Sequence, residues 1–266
     1  MTVATRILPH GLVGARASRM VERNVMVYRR TWLILVSGFF EPLFYLLGIG
    51  FGLGALIGAV PGPDGRPIPY GVFVAPGLLA TSAMNGAIYE STFNVFFKLR
   101  YAKTYDAILS TPLGIADVAA GEIGWSLIRG ALYAVGFLGV VVLLGLAASP
   151  LVILSVPAAL LMGFAFAAVG MAATTWIRSW QDFDFITVIT LPLFLFSATF
   201  YPLTAYPDAL RLVVEVTPLY QGVSMLRQLS TGAIDPSILG NIAYLTVMGF
   251  VGLVIVSRRL DHLLLK

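Results

Sequence analysis

The chain is a succession of long apolar runs separated by short polar breaks. Six runs predict membrane-spanning helices at about 32–57, 70–97, 123–146, 151–177, 183–201 and 238–257. Each is near the roughly 20 residues that a helix needs to cross about 30 Å of hydrocarbon. The runs are continuous, whereas lipid-facing barrel strands would alternate every second residue. The breaks carry turn chemistry. Residues 61–69 (PGPDGRPIP) read as an exposed loop, Ser149-Pro150 as a tight turn, and residues 178–182 (RSWQD) as a short polar link. The fold expected is therefore all-α and integral to a membrane. Residues 1–30 form a tail, 31–257 a single six-helix domain and 258–266 a second tail. Neither an internal repeat nor a domain boundary is visible.

Three shorter segments do not fit the spanning pattern. In the first tail, Arg16, Arg19, Arg23 and Arg30 fall within about 60° of one another at about 100° per residue. Ala17, Val21, Val25 and Tyr28 gather on the other side, which predicts an amphipathic helix lying on a lipid surface. Between the second and third spans, residues 104–112 (TYDAILSTP) predict a two-turn helix ended by Pro112. Its Tyr105, Ile108 and Leu109 share a face at i, i+3, i+4. An apolar face in so short a polar link has little of its own to bury on, and a partner's groove or the lipid headgroups would cover it. Before the last span, Pro202, Pro207 and Pro218 break the chain into two apolar helices too short to cross. Arg211, Glu215 and Arg227 lie on them. Pro-broken helices at membrane depth need protein or a water-filled cavity around them, so a re-entrant hairpin is expected here.

Composition strengthens this frame. The chain is 58% hydrophobic and 11% charged, with a mean hydropathy of +0.89. A soluble domain carries about 25% charged residues, so lipid must serve as part of the solvent here. The net charge of +4 belongs to basic residues flanking the apolar runs, which points to a membrane surface and not to nucleic acid. Thirteen basic residues fall on one side of a six-span topology, in the two tails, the 98–103 link and Arg178. Arg66, Arg211 and Arg227 fall on the other. By the positive-inside rule both termini are expected in the cytoplasm, with the chain multi-pass in a bacterial inner membrane.

No catalytic or metal-binding residue is nominated. Gly is never followed by Lys, so no Walker A phosphate cradle exists. The two histidines, His10 and His262, lie near the termini, there is no cysteine, and no G-x-S-x-G elbow occurs. Four ionisable residues fall at or near membrane depth: Glu41, Glu90, Glu122 and Arg129. Each costs about 2.5–3.5 kcal/mol at a helix centre, which an apolar span tolerates without explaining. Glu122 and Arg129 are seven residues apart on one face, so a coupling pair is one reading. A polar patch on a transport path and residues bonded within the bundle are others.

The order of these parts resembles the type-2 ABC exporter permease family, on its nodulation lipo-oligosaccharide and drug-resistance side. The likeness is carried by residues 41–54 (EPLFYLLGIGFGLG), 104–113 (TYDAILSTPL) with Gly121-Glu122 after them, and 200–219 from Phe200-Tyr-Pro202 to Thr217-Pro218-Leu219. The resemblance implies a permease subunit that moves a glycolipid-like amphiphile or hydrophobic drug outward. Residues Tyr105, Asp106, Ile108, Leu109, Thr111 and Pro112 would form the helix that couples to a separate ATPase, which would also meet the first tail's helix. The hairpin from Pro202 to Arg227 would cap the outer end of the path. Two ATPase copies and a second permease chain, identical or paralogous, are implied as partners, with ATP and Mg bound by the ATPase and no cofactor in this chain. A stand-alone secondary transporter or channel, or a structural membrane protein, is the alternative from another class.

Overall fold

A computed structural model describes residues 13–29 and 40–264, and these are overwhelmingly helical. Helix α1 is Val13–Arg29. The residues that follow, including Arg30 and the start of the first expected span at 32–39, lie outside the described residues, as do Arg6, His10 and Lys266. Helix α2 is Phe40–Ile57, and a two-stranded antiparallel ribbon of β1 (Ala59–Pro61) and β2 (Pro67–Pro69) follows it. Then come α3 (Tyr70–Tyr101), the short α4 (Thr104–Leu109), α5 (Ile115–Leu143) and α6 (Pro150–Thr174). Helices α7 (Phe183–Leu195), α8 (Asp208–Val216), α9 (Pro218–Thr231) and α10 (Ser237–Leu264) complete the chain.

Among the described residues five helices are long and apolar enough to cross a membrane: α2, α3, α5, α6 and the Ser237–Leu260 part of α10. The fifth expected crossing differs. Helix α7 has 13 residues, about 20 Å at 1.5 Å per residue, less than the hydrocarbon thickness. Helical geometry fails at Phe196, and Ala198 takes a left-handed φ of 55°. Residues 196–201 (FSATFY) are apolar enough to read as helix. Instead, the Ser197 and Thr199 hydroxyls bond each other at 2.8 Å, and Tyr201 and Tyr206 donate to the carbonyl of Leu195, one of the orphaned acceptors of a helix end.

Helix α6 is the hub, packing on α3, α5 and α10. Its crossing with α10 is close because of Gly252. A Cβ there would sit 2.8 Å from the Ala168 carbonyl carbon and the Val169 nitrogen, so no larger residue fits. One apolar cluster fills the half of the bundle nearest the β-ribbon, around Phe73, Leu78, Phe137, Met162, Leu219 and Leu226. A second fills the end where α1 and α4 lie, around Met20, Tyr105, Val118, Ile123, Met171 and Leu260.

Candidate functional site

Three helices bring polar side chains into this second region from different directions. On α3, Glu90, Asn94 and Lys98 follow one another at i, i+4 and i+8. The backbone there winds in wide i+5 turns over Glu90–Asn94 and Phe97–Tyr101, a geometry that recurs at functional positions in helices. On α5, Glu122 and Arg129 are two turns apart. On α1, Asn24 and Tyr28 are one turn apart on the face that packs against α5. That packing requires Gly121: a Cβ there would collide with the Met20 side chain and lie 3.2 Å from the Ala17 carbonyl.

The result is two buried ion pairs, side by side. Lys98 Nζ lies 2.7 Å from Glu122 Oε2. Arg129 pairs with Glu90 across the α3–α5 contact. The coupling pair read between Glu122 and Arg129 is therefore not formed. On one helix face their charged ends point to different partners on α3, each two turns from the other. Both carboxylates are almost fully buried, with side chains 3% and 4% exposed, so each must be bonded on all sides to repay its lost hydration. They are. Glu122 also accepts from Tyr105 OH of α4 at 3.2 Å and from Asn24 Nδ2 of α1 at 3.2 Å. Glu90 also accepts from Asn94 at 2.7 Å and from Tyr28 OH at 3.4 Å. The Arg129 guanidinium donates to Tyr133 OH at 3.0 Å and stands 5.2 Å from the Tyr28 ring centre. Burial, then the Glu90 charge, holds the Tyr28 hydroxyl up at about 12. Burial, then Glu122, pushes the Tyr105 hydroxyl well above the usual tyrosine range. Both remain protonated donors to the carboxylates at neutral pH.

Helix α4 corrects a second expectation. Its apolar face is not free for a partner. Tyr105 is fully buried and Ile108 nearly so, against Met20, Ile115 and Val118 of the same chain, with Leu109 packed at the edge. The surface left open is the opposite one: Lys103, Asp106, Ala107, Ser110, Thr111 and Pro112 are exposed. Arg16 of α1 donates to the Pro112 carbonyl at 3.2 Å, tying the helix's exit to α1. Helix α1 itself has three sectors. Met20 and Asn24 are buried on α5, Val25 and Met26 are exposed, and Arg19 is exposed and paired with Glu22 at 2.8 Å. Arg23 lies half-buried beside Asn24, and Glu41 of α2 is exposed.

At the opposite end α8 and α9 meet at Thr217-Pro218, the break expected from the sequence. Thr217 caps α9 with its side chain and Pro218 takes the first turn, where its missing N–H costs nothing. Half-buried Pro202 precedes a short turn whose Thr204 and Tyr206 carbonyls accept from Arg211, which also pairs with Asp208 at 2.8 Å. Glu215 is half-buried, whereas Arg227 is buried in protein. Sequence reasoning missed Asn24 and Asn94, and it placed Tyr28 on the apolar side of α1 and Lys98 among the link's basic charges without their partners. The i, i+4, i+8 spacing of Glu90, Asn94 and Lys98 was the available signal. Asn24 lacked one, because its sector of α1 falls between the basic and apolar sides.

The family described as ABC-2 type transporter matches residues 17–230 of the chain. Nodulation protein J of Sinorhizobium fredii (strain NBRC 101917 / NGR234) is 31% identical over 208 residues, covering 77% of this chain and 78% of that protein. Nodulation protein J of Rhizobium meliloti (strain 1021) is 30% identical over 214 residues, 80% of each chain. That of Neorhizobium galegae is 27% identical over 266 aligned positions, 98% of this chain and 99% of the relative.

Proposed function

The chain belongs to the ABC-2 type transporter family, as the transmembrane permease subunit of an ABC exporter, and from that premise we propose how its parts divide the work. Helix α4 is the surface on which the partner ATPase pushes, through Asp106, Ala107, Ser110 and Thr111. Two ATPase copies, holding the ATP and Mg, serve two permease chains. This chain contributes no hydrolytic chemistry, since its sequence has no phosphate cradle. The α1/α4 end faces the cytoplasm of a bacterial inner membrane. Six segments cross in all, α7 with its irregular tail being the fifth, and the α8–α9 hairpin re-enters at the outer end. The cargo is an amphiphile, a glycolipid-like molecule or a hydrophobic drug, entering from the inner leaflet.

One observation supports this reading most: the Tyr105 hydroxyl on Glu122. A two-turn helix on a flexible link would dissipate a push. This one is keyed to a carboxylate that α1 and α3 also grip, so α4, α1, α3 and α5 move as one body. Rigid elements joined this way are what a domain-scale shift requires.

The test places bulk on the open face. Ala107→Trp and Ser110→Trp are expected to abolish co-purification of the ATPase and ATP-driven export, with the permease still inserted and monodisperse. Ile108→Asp, which buries an unpaired charge, is expected to lose the permease itself. If the double Trp variant still binds the ATPase and exports, α4 is not the docking surface. If transport proceeds on an ion gradient with no ATPase present, a stand-alone secondary transporter or channel is the correct class.

A further inference from the structure

The short seventh helix leaves a structural debt at membrane depth. Past Leu195 the chain is irregular through Tyr201, and the carbonyls of this stretch have no helical donors. In a bilayer such groups need a partner from the protein, or the break cannot persist. Arg227 supplies it. Its Nη2 donates to the carbonyls of Ala198 at 2.8 Å and Thr199 at 3.4 Å, and its Nε donates to the carbonyl of Phe73 on α3 at 3.2 Å. The guanidinium carbon stands over the Phe73 ring, 3.8 Å from its centre. The side chain is buried, and no carboxylate is among its partners in the described residues. A buried cation held only by neutral carbonyls and an aromatic face is unusual, since burial of a charge ordinarily demands a counter-charge. The planar five-donor fork is what makes it workable, because one residue can reach three acceptors on two segments.

The rest of the joint is built to match. Tyr70 OH donates to the Phe200 carbonyl at 3.0 Å. Gly77 of α3 lets the broken segment approach until Thr199 Cα would lie 3.1 Å from a Cβ there. Ala198 is held in a left-handed conformation, which a residue with a Cβ adopts only where its surroundings impose it. Thr199 is fully buried under this clamp.

We propose that Arg227 is a positioning residue for export: it bolts the irregular end of the fifth crossing segment to α3, and the outer end of the path opens when Arg227 releases the Ala198 and Thr199 carbonyls. The inference rests on the exporter reading for what passes through, but its geometry does not. Neutral acceptors suit a releasable joint. A salt bridge between these segments would bind both ends of the motion to one counter-charge, whereas carbonyls and a ring can be exchanged for water or cargo oxygens.

The chain has no cysteine, so a single reporter thiol can be read cleanly. In the purified permease–ATPase complex in lipid nanodiscs, Thr199→Cys is labelled with a maleimide, with and without ATP. Alone, Thr199→Cys is expected to label slowly. Adding Arg227→Gln is expected to speed labelling about tenfold or more, the effect of losing one charge-assisted hydrogen bond. Arg227→Lys, a point charge without the fork, is expected to fall between and to keep the complex intact if the Gln variant does not assemble. Transport should fall in the same order while ATPase co-purification stays unchanged. Labelling that is the same within twofold in the wild-type, Lys and Gln backgrounds overturns the proposal. ATP dependence is read separately: ATP is expected to speed labelling of Thr199→Cys in the wild-type background, and labelling that depends on Arg227 but not on ATP overturns the release step, whereas a wild-type complex with no ATP-driven transport counts against the exporter reading.

Discussion

Glu122 accepts hydrogen bonds from three elements, α1, α3 and α4, and is almost wholly screened from solvent. A carboxylate in that state is stabilising only while its partners remain. Removing one partner of a buried pair costs about 3–5 kcal/mol, because the other charge is left uncompensated. Replacing both with neutral groups of similar size costs far less. Glu122→Gln and Lys98→Met are therefore each expected to lower stability by about that amount, and the double variant by clearly less than the sum. Thermal unfolding in detergent across the four-member cycle measures it, and strict additivity would show that the pair is not coupled. At this scale the sequence disclosed the ionisable residues but not their pairing. Glu90, Glu122 and Arg129 were visible as charges inside apolar runs. Which of them meet depends on how α3 and α5 rotate against each other, and the wide turns of α3 at Glu90–Asn94 and Phe97–Tyr101 are not marked in the residue pattern. Arg227 is a similar case: it read as a charge of the hairpin, and its neutral partners on two other segments left no mark in the sequence.

At the scale of elements, α1 is held by shape as much as by bonds. Gly121 removes the one side chain that would keep α1 off α5. Gly121→Leu is expected to lift α1 from the bundle, opening its Arg19 and Arg23 bonds to trypsin while the spanning helices remain inserted. Limited proteolysis of reconstituted protein reads this directly, and a trypsin-resistant α1 would refute it. The amphipathic character of α1 and the break at Thr217-Pro218 were legible, because charge periodicity and proline are local signals. The true length of α7 was not. Its end is set by tyrosines and an arginine from later in the chain, and hydropathy cannot see donors that arrive from elsewhere. The apolar face of α4 was read correctly as apolar and wrongly as unpartnered, since its cover is this chain's own α1 and α5.

For the whole molecule, the frame of apolar helices follows from composition, and the orientation proposed follows from charge. Single cysteines test the orientation. Asp64→Cys in the β-ribbon link and Asp208→Cys at the start of α8 are expected to react with a membrane-impermeant maleimide on intact cells. Asp106→Cys and Arg178→Cys are expected to react only after the membrane is opened. The reverse pattern would invert the molecule. The grip of α1 on α5 also bears on how the chain is made. Asn24 and Glu122 are 98 residues apart, about 5–20 s of synthesis at roughly 5–20 residues per second. Throughout that interval the first helix has left the ribosome and its docking site has not been built. Only the headgroup layer can shelter Ala17 and Val21 meanwhile, so the amphipathic pattern of α1 acts as a waiting state during biogenesis before it acts as part of a finished machine. Chains halted before residue 121, probed with trypsin as above, report whether that wait takes place.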